Sequence, residues 1–207
     1  MADQAKAAVH WDAAYAQGDD TRSWFEKHPG MSLRMLGSAG VSATDALIDV
    51  GGGASSLIGT LLDRGFRDLT VLDISPAGMQ YARDRLGSRA DQVCWVTADV
   101  PSWQPQRYYQ AWHDRATFHF LTPDEHRQQY LRTLDAATAP GSIAVLGCFA
   151  PDGPQHCSGL PVARYSPAQL ARQLGAKWLL IGQDREEHAT PAGTLQPFTW
   201  VALQRQP

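Results

Sequence analysis

The amino-acid sequence predicts an α/β fold in which helices cover both faces of a mostly parallel sheet. One observation is that the apolar run 47–50 leads into three glycines and then into apolar residues at helical spacing, which indicates a buried strand, a tight turn and a helix start. A second is that apolar segments alternate with amphipathic helical segments along the rest of the chain, as in successive βαβ units. A third is the length of 207 residues, enough for one domain with a sizeable core.

Capping signals place the helices between these strands. Ser75 precedes Pro76 and is expected to be an N-cap, with the proline in the first turn. Thr122 and Ser166 also precede prolines and are expected to open helices with capping boxes. The predicted helices cover residues 4–17, 32–36, 55–64, 76–87, 124–137 and 167–175, and the predicted strands cover 47–50, 69–74, 93–100, 108–112, 143–149, 177–185 and 196–204.

Composition and charge exclude several classes of protein. The formal net charge of −3 gives no reason to expect nucleic acid as the main partner. No apolar run approaches the roughly 18 residues of a membrane helix, and the N-terminus lacks a basic segment followed by an apolar run. The three cysteines do not form a disulfide framework. We therefore expect a cytoplasmic protein without a membrane partner, and the sequence gives no indication of the oligomeric state.

The glycine-rich turn indicates a small polar ligand. Asp49 stands just before Gly51 and Gly53, and no Lys-Ser or Lys-Thr follows, which excludes a phosphate loop of the GxxxxGK[ST] kind. Ser56 occupies the position of the third glycine of the dinucleotide fingerprint, so that motif fits poorly. A carboxylate here would repel a pyrophosphate but suits a ligand with an amine and a positive centre, such as S-adenosylmethionine. On this motif alone, an ordinary glycine-rich turn is an equally good interpretation.

Two further strands also end in an acid. Asp73 closes the second strand, roughly 20 residues beyond the glycines, where a carboxylate meets ribose hydroxyls in βαβ nucleotide sites. Asp99 stands near the end of the third strand. Like charges that converge on one crevice destabilise a fold unless a ligand or hydrogen-bond donors use them. The three acids therefore favour a nucleotide-type ligand at the carboxyl edge of the sheet.

The ordered set of motifs resembles the class I S-adenosylmethionine-dependent methyltransferases. The matching segments are 49–53, 71–75, 98–100, 111–114 and the turn 140–142. The resemblance implies a single Rossmann-like domain over residues 1–207, with an N-terminal helical lid at 1–40 and a core at 41–207. It also implies a seven-stranded sheet whose last strand is antiparallel, and S-adenosylmethionine as cofactor with S-adenosylhomocysteine as product. The residues that it implies for cofactor binding are Trp11, Tyr15, Asp49, Gly51, Gly53, Asp73, Ile74, Asp99, Val100 and His113.

The same resemblance directs attention to the residues after the fourth strand for catalysis. His119 and Asp114 are the catalytic candidates, with His119 as a base for an acceptor that arrives protonated. The long segment 150–165 leaves the same sheet edge and is expected to build the substrate pocket. Its candidate pocket residues are His156, Cys157 and Arg164.

Cysteines and histidines raise the question of a metal or a soft acceptor. Cys148, His156, Cys157 and His188 carry ligand types that suit zinc or a metalloid. Their spacing is not a recognised zinc pattern, so no metal site is predicted. The four residues nevertheless leave open a thiol or metalloid as the methyl acceptor.

Three functions remain open at this level. The first is methyl transfer to a small molecule, favoured because the chain has no inserted recognition domain. The second is methyl transfer to protein lysine, since the first two motifs also resemble certain protein-lysine methyltransferases. Those enzymes carry Asp-Lys-Gly-Thr after the fourth strand, where this chain has Asp-Arg-Ala-Thr at 114–117. The third is a nucleotide-binding module without catalysis.

Overall fold

The computed structural model describes residues 2–16 and 22–207, with side chains from Lys6 onward. Within that part of the chain there are six α-helices and nine strands. The helices are α1 (Ala2–Tyr15), α2 (Gly30–Ser38), α3 (Leu57–Asp63), α4 (Pro76–Leu86), α5 (Asp124–Ala137) and α6 (Pro167–Leu174). The strands are β1 (Leu47–Val50), β2 (Leu69–Asp73), β3 (Val93–Thr97), β4 (Ala111–Arg115), β5 (Ile143–Phe149), β6 (His156–Cys157), β7 (Leu160–Pro161), β8 (Trp178–Ala189) and β9 (Leu195–Arg205). None of the described helices is long and apolar enough to cross a membrane.

Seven strands form one sheet in the order β3-β2-β1-β4-β5-β9-β8, and β6 pairs with β7 in a separate hairpin. Strands β1 to β5 are parallel, whereas β9 runs antiparallel between β5 and β8. The predicted α/β fold with an antiparallel last strand is therefore confirmed. The strand order reverses between β1 and β4, and open α/β sheets bind ligands outside the carboxyl ends of strands at such a point.

Two apolar cores lie on opposite faces of the sheet. The first packs α2, α3 and α4 on one face, with Leu36, Leu61 and Met79 buried in it. The second packs α5 and α6 on the other face around Tyr130 and Leu170. Because both faces of β1, β4 and β5 are covered, nearly every residue of these strands is buried, including the polar residues Asp49, His113 and Asp114.

Several predicted boundaries are corrected by the structure. The fourth strand begins at Ala111 and runs through Arg115, because the backbone N–H groups of Tyr109 and Gln110 donate to the Ala137 and Ala46 carbonyls outside the strand ladder. The third strand ends at Thr97, so Asp99 lies beyond it. The predicted capping box at Thr122 is absent, since Pro123 is the N-cap of α5 and no side chain caps that helix. The Ser75 cap and the Ser166 capping box are present as predicted.

Candidate functional site

A cavity of about 1000 Å³ opens at the carboxyl ends of β1, β2 and β4. Its walls come from the glycine turn, the segments 98–105 and 113–121, helix α1 and the segment 24–26 before α2. The first three of these follow the ends of adjacent parallel strands, which explains why they meet at one edge of the sheet. The sheet topology thus assembles the cavity from segments that are far apart in sequence.

The glycine turn presents bare backbone to the cavity. Gly51 and Gly53 have positive φ values of 66° and 29°, a region that favours glycine. A Cβ atom on Gly51 would overlap the Thr117 hydroxyl, and one on Gly53 would overlap the Tyr15 hydroxyl. The turn can therefore not carry side chains, and a ligand can approach its N–H groups closely.

Asp73 ends β2 beside this turn and is 6% exposed. The backbone N–H of Ser75 donates to its Oδ1 over 2.7 Å. Burial raises the pKa of Asp73 to about 6, although hydrogen bonds from the Ser75 and Gly53 backbone oppose the shift. The carboxylate lines the cavity and can accept hydrogen bonds from vicinal hydroxyls there.

Asp49 and His113 form a buried pair at the base of the cavity. They are Cα partners in the β1–β4 ladder, and His113 Nδ1 lies 2.7 Å from Asp49 Oδ1. Asp49 Oδ2 and His113 Nε2 have no hydrogen-bond partner among the described residues. Buried polar atoms are rarely left unpaired, so these two indicate that a polar group of a ligand belongs here.

Helix α1 supplies an aromatic wall. Trp11 and Tyr15 both line the cavity, and the Trp11 ring meets the Phe120 ring edge-on at 4.9 Å between centroids. Asp12 attaches the helix to α4, because its Oδ1 accepts hydrogen bonds from the Ser75 hydroxyl (2.6 Å) and from the Ala77 N–H (3.3 Å). Helix α1 therefore reaches the cavity through Trp11 and Tyr15, the two residues that the sequence analysis assigned to the cofactor site.

The remaining residues predicted for cofactor binding also lie at the cavity. Ile74, Asp99 and Val100 line it, and Val100 opens a short 3₁₀ turn that follows β3. Gly53 contributes through the turn described above. Nine of the ten predicted positions thus line the cavity, and Gly53 lies in the adjoining glycine turn.

The geometry does not support His119 as a base. Its side chain is fully buried outside the cavity lining, between the rings of Phe120 and Phe149 at 4.5 and 4.8 Å. Burial lowers the pKa of His119 to about 3, so the imidazole is neutral at pH 7. The short 3₁₀ turn Phe118–Phe120 directs it into the core, which the sequence spacing could not indicate.

Asp114 is likewise turned away from the cavity, because successive side chains of β4 point to opposite faces of the sheet. It accepts hydrogen bonds from the Tyr130 hydroxyl (2.6 Å) and from the Thr117 N–H (2.8 Å). Burial raises the pKa of Asp114 to about 6, while these donors oppose the shift. Asp114 therefore shapes the turn that contains Ala116, whose φ is 69°, rather than touching a ligand in the cavity.

Of the three predicted pocket residues, Cys157 lines the cavity. His156 is exposed, and Arg164 donates to the Gly153 carbonyl over 3.1 Å, both outside the cavity lining. The suggested soft-ligand group does not assemble, because Cys148 is buried in the second core and Cys157 in the first, on opposite faces of the sheet.

Two charged residues at the cavity wall were missed by the sequence analysis. Arg115 donates to the Trp24 carbonyl over 2.8 Å and pairs with Glu26 at 3.2 Å. Both line the cavity and are about 13% exposed or less. The available signal was that Arg115 stands two residues beyond His113 on the same strand, and hence on the same face.

Comparisons with known proteins relate the sequence and the fold of this chain to methyltransferases. A family model described as a methyltransferase domain matches residues 47–141. The mouse eEF1A lysine and N-terminal methyltransferase is 23% identical over 210 residues, which cover 97% of this chain and 29% of that protein. This chain thus spans less than a third of that relative's length.

Solved structures share the fold. A 1,6-didemethyltoxoflavin-N1-methyltransferase from Burkholderia thailandensis superposes with a TM-score of 0.74 at 19% identity, over 99% of this chain and 90% of that one. A SAM-dependent methyltransferase from Anabaena variabilis superposes with a TM-score of 0.77 at 12% identity, over 98% and 95% of the two chains. The segment 47–141 thus matches a methyltransferase-domain family, and the chain as a whole has the fold of these methyltransferase structures.

Proposed function

We propose that this protein transfers the methyl group of S-adenosylmethionine to a small-molecule acceptor. The observation that carries the proposal is that one cavity is lined by the glycine turn, by buried Asp73, and by Asp49 and His113, each of which has one buried atom without a partner among the described residues. Structural neighbours crystallised with S-adenosylhomocysteine support it, among them the toxoflavin-pathway enzyme and the methyltransferase NodS. The division into a lid at 1–40 and a core at 41–207 and the cytoplasmic location stay predictions.

The residues present fit this cofactor. The N–H groups of the glycine turn would face its methionine part, and Asp73 would accept hydrogen bonds from both ribose hydroxyls. Asp99 lies beyond β3, where it would meet the adenine amino group. Asp49 Oδ2 can accept from the α-amino group, and the aromatic wall of Trp11 and Tyr15 would exclude water from the methyl group.

The chemistry needs little from the protein beyond orientation. S-adenosylmethionine supplies a methyl group that the sulfonium already activates, so in-line placement of the acceptor provides much of the rate. The volume of about 1000 Å³ is at the upper end of the range typical of small-ligand cavities and can hold both a cofactor and a small acceptor. A thiol or metalloid acceptor has less support, because burial raises the pKa of the Cys157 thiol and disfavours a soft thiolate ligand.

Methyl transfer to a protein is the second candidate, favoured by the similarity to the mouse lysine and N-terminal methyltransferase over 97% of this chain. A nucleotide-binding module without catalysis is the third. Incubation with S-adenosylmethionine and either a metabolite panel or a cell-extract protein fraction separates the three. We expect S-adenosylhomocysteine to accumulate with the small molecules. Accumulation with the protein fraction alone would favour methyl transfer to a protein. No accumulation with either would favour a nucleotide-binding module without catalysis.

Calorimetry with S-adenosylhomocysteine tests the cofactor assignment directly. Asp73→Ala removes a charge-assisted contact to two hydroxyls and should weaken binding by roughly 1.5–3 kcal/mol. Asp84→Ala is a matched control, since Asp84 is exposed on α4 and contacts Gln80. Unchanged affinity in a folded Asp73→Ala protein would refute the role of Asp73, and tight NAD binding without S-adenosylhomocysteine binding would refute the proposed function.

A further inference from the structure

A cluster of ionisable side chains lies where the end of β4 meets β8 and the segment before α2. Glu26 Oε1 lies 3.2 Å from Arg115 Nη2 and 3.5 Å from His188 Nδ1. Glu186 completes the cluster, because the side-chain ligand atoms of Glu26, Glu186 and His188 lie within 4.8 Å of one another. Two carboxylates and an imidazole therefore converge on one point beside a single guanidinium.

Contacts from behind fix the cluster in place. His188 Nε2–H donates to the Ser23 carbonyl over 2.7 Å, which turns Nδ1 toward Glu26. Trp200 Nε1–H donates to Glu186 Oε2 over 2.8 Å. The Arg115 guanidinium stacks 4.9 Å from the centroid of the Phe198 ring. These restraints orient the groups before any ligand arrives, as a preorganised site requires.

The two carboxyl groups and the imidazole lie close enough to change one another's pKa. Burial raises the pKa of Glu186, and the nearby charge of Glu26 adds to this against the opposing charge of Arg115. Burial also raises the pKa of Glu26, but the hydrogen bond from His188 and the charge of Arg115 outweigh it and lower the pKa overall. Glu26 is thus the more acidic of the two carboxyl groups, beside a carboxyl group whose pKa is raised.

Glu26 is also the carboxylate of the cluster that reaches the cavity. Glu26 and Arg115 line the cavity, whereas Glu186 and His188 lie behind them. Arg115 follows His113 by two residues on one face of β4, about 6.6 Å farther along the strand. Glu26, which pairs with Arg115, therefore lies toward the part of the cavity beyond His113. Cys157 and Leu160 of the β6–β7 hairpin also line the cavity.

We propose that Glu26 accepts the proton that the methyl acceptor loses, and that Glu186 and His188 position its carboxylate. This inference rests on the proposed function and specifies an acceptor with a nucleophilic N–H or O–H group. A lone pair on that nitrogen or oxygen forms the bond to the methyl carbon, while the carbon–sulfur bond breaks and its electrons stay on sulfur. The proton released from the acceptor moves to the Glu26 carboxylate, so the products are a methylated acceptor and neutral S-adenosylhomocysteine.

A test without any acceptor uses carboxyl-¹³C glutamate and NMR on the S-adenosylhomocysteine complex. The Glu26 resonance should titrate at a different pH in Glu186→Gln than in the wild type, because removal of the neighbouring carboxyl group changes the ionisation of Glu26. Glu187→Gln is the matched control, since Glu187 is the next residue of β8, is about half exposed and pairs with Arg185. An equal Glu26 midpoint in the wild type and in Glu186→Gln would overturn the inference.

A test with an acceptor compares turnover in Glu26→Gln, Glu187→Gln and the wild type. Glu26→Gln should lower kcat for an N–H or O–H acceptor by about 10²–10⁴-fold. It should also remove the loss of activity at acidic pH that a carboxylate base produces, whereas Glu187→Gln should keep both the rate and the pH profile. Full activity of Glu26→Gln with such an acceptor would overturn the role of Glu26.

Binding measurements keep this inference separate from the proposed function. S-adenosylhomocysteine affinity should stay within about twofold of the wild type in Glu26→Gln, and a loss restricted to this variant would assign Glu26 to the cofactor site instead. If the wild type itself does not bind S-adenosylhomocysteine, the proposed function fails.

A metal site is the competing use of the same three side chains, since carboxylates and imidazole are zinc ligands. Calorimetric titration with zinc chloride alone should show no binding that depends on Glu186. Stoichiometric zinc binding that Glu186→Gln abolishes and Glu187→Gln retains would overturn the proton-acceptor role.

Discussion

The two ends of the cavity are built in different ways. At the end formed by β1 and β2, the shape depends on backbone: two glycines with positive φ and a carboxylate held by backbone N–H groups. At the end formed by Arg115 and Glu26, the shape depends on side chains that contact one another across long stretches of sequence and are supported from behind by His188 of β8. The end built from backbone tolerates few substitutions and suits one ligand shape. At the end built from side chains, substitutions can alter which ligand binds.

This difference matches the division of labour in the proposed reaction. A cofactor common to many enzymes needs a constant site, and backbone geometry provides one. An acceptor that differs from enzyme to enzyme needs a variable site, and side chains on strand ends and loops provide that. The following predictions test how the end formed by β1 and β2 responds, for comparison with the Glu26 variants described above for the other end.

The largest effect is expected for Gly51→Ala. The alanine would have to adopt a positive φ, and its Cβ would overlap the Thr117 hydroxyl. The free energy of unfolding should therefore decrease by about 2–4 kcal/mol. Gly40→Ala is the control, because its φ is 83° but no atom lies within 4 Å of the new Cβ, and backbone strain alone costs about 1–2 kcal/mol. Chemical denaturation of both variants checks the difference, and equal losses would show that the contact with Thr117 has no importance.

An intermediate effect is expected from pH at the cofactor end. Since the pKa of Asp73 is raised to about 6 in the ligand-free protein, a proton competes with the ribose hydroxyls below that pH. The affinity for S-adenosylhomocysteine should therefore fall as the pH decreases, by about tenfold between pH 7 and pH 5. Calorimetry at both pH values measures it, with Asp73→Asn as the variant whose affinity should be nearly independent of pH. A wild-type affinity that is flat from pH 7 to pH 5 would contradict the prediction.

The smallest effect is expected for Tyr15→Phe. The phenol ring, which lies over Gly53 and Gly78, remains, and the hydroxyl group alone is lost. We expect the hydroxyl to donate one hydrogen bond to the bound ligand, which contributes about 1 kcal/mol, so S-adenosylhomocysteine should bind Tyr15→Phe about fivefold more weakly. Tyr15→Ala should do far more harm, because it removes the ring that forms the wall. If both variants bound equally weakly, the hydroxyl rather than the ring would be the important part.

The sequence predicted the backbone-built end well and the side-chain-built end poorly. Asp49, Gly51 and Asp73 stand at strand ends and turns, where local sequence determines both the conformation and the position in the sheet. Arg115, Glu26 and Glu186 come together through the register of the long β8–β9 pair and the path of the chain before α2, which no local pattern contains.

Two particular errors show the same limit. The position of His119 after the fourth strand suggested a base, but one turn of 3₁₀ helix places the imidazole in the core. The predicted capping box at Thr122 failed because Pro123 took the N-cap position. In both cases a shift of one or two residues decides which way a side chain points, and sequence patterns do not resolve such shifts.

The attachment of α1 through Asp12 has a consequence for discrimination among nucleotides. The N-terminus of α4 is the kind of position where a protein binds a phosphate, and in dinucleotide-binding folds a phosphate on the ribose 2′ oxygen is accommodated near the end of the second strand. Here the Asp12 carboxylate already accepts the hydrogen bonds of Ser75 and Ala77 at that terminus. With Asp73 beside it, a phosphorylated ribose would meet two carboxylates and no free donor from Ser75 or Ala77, so we expect this site to disfavour NADP-like ligands.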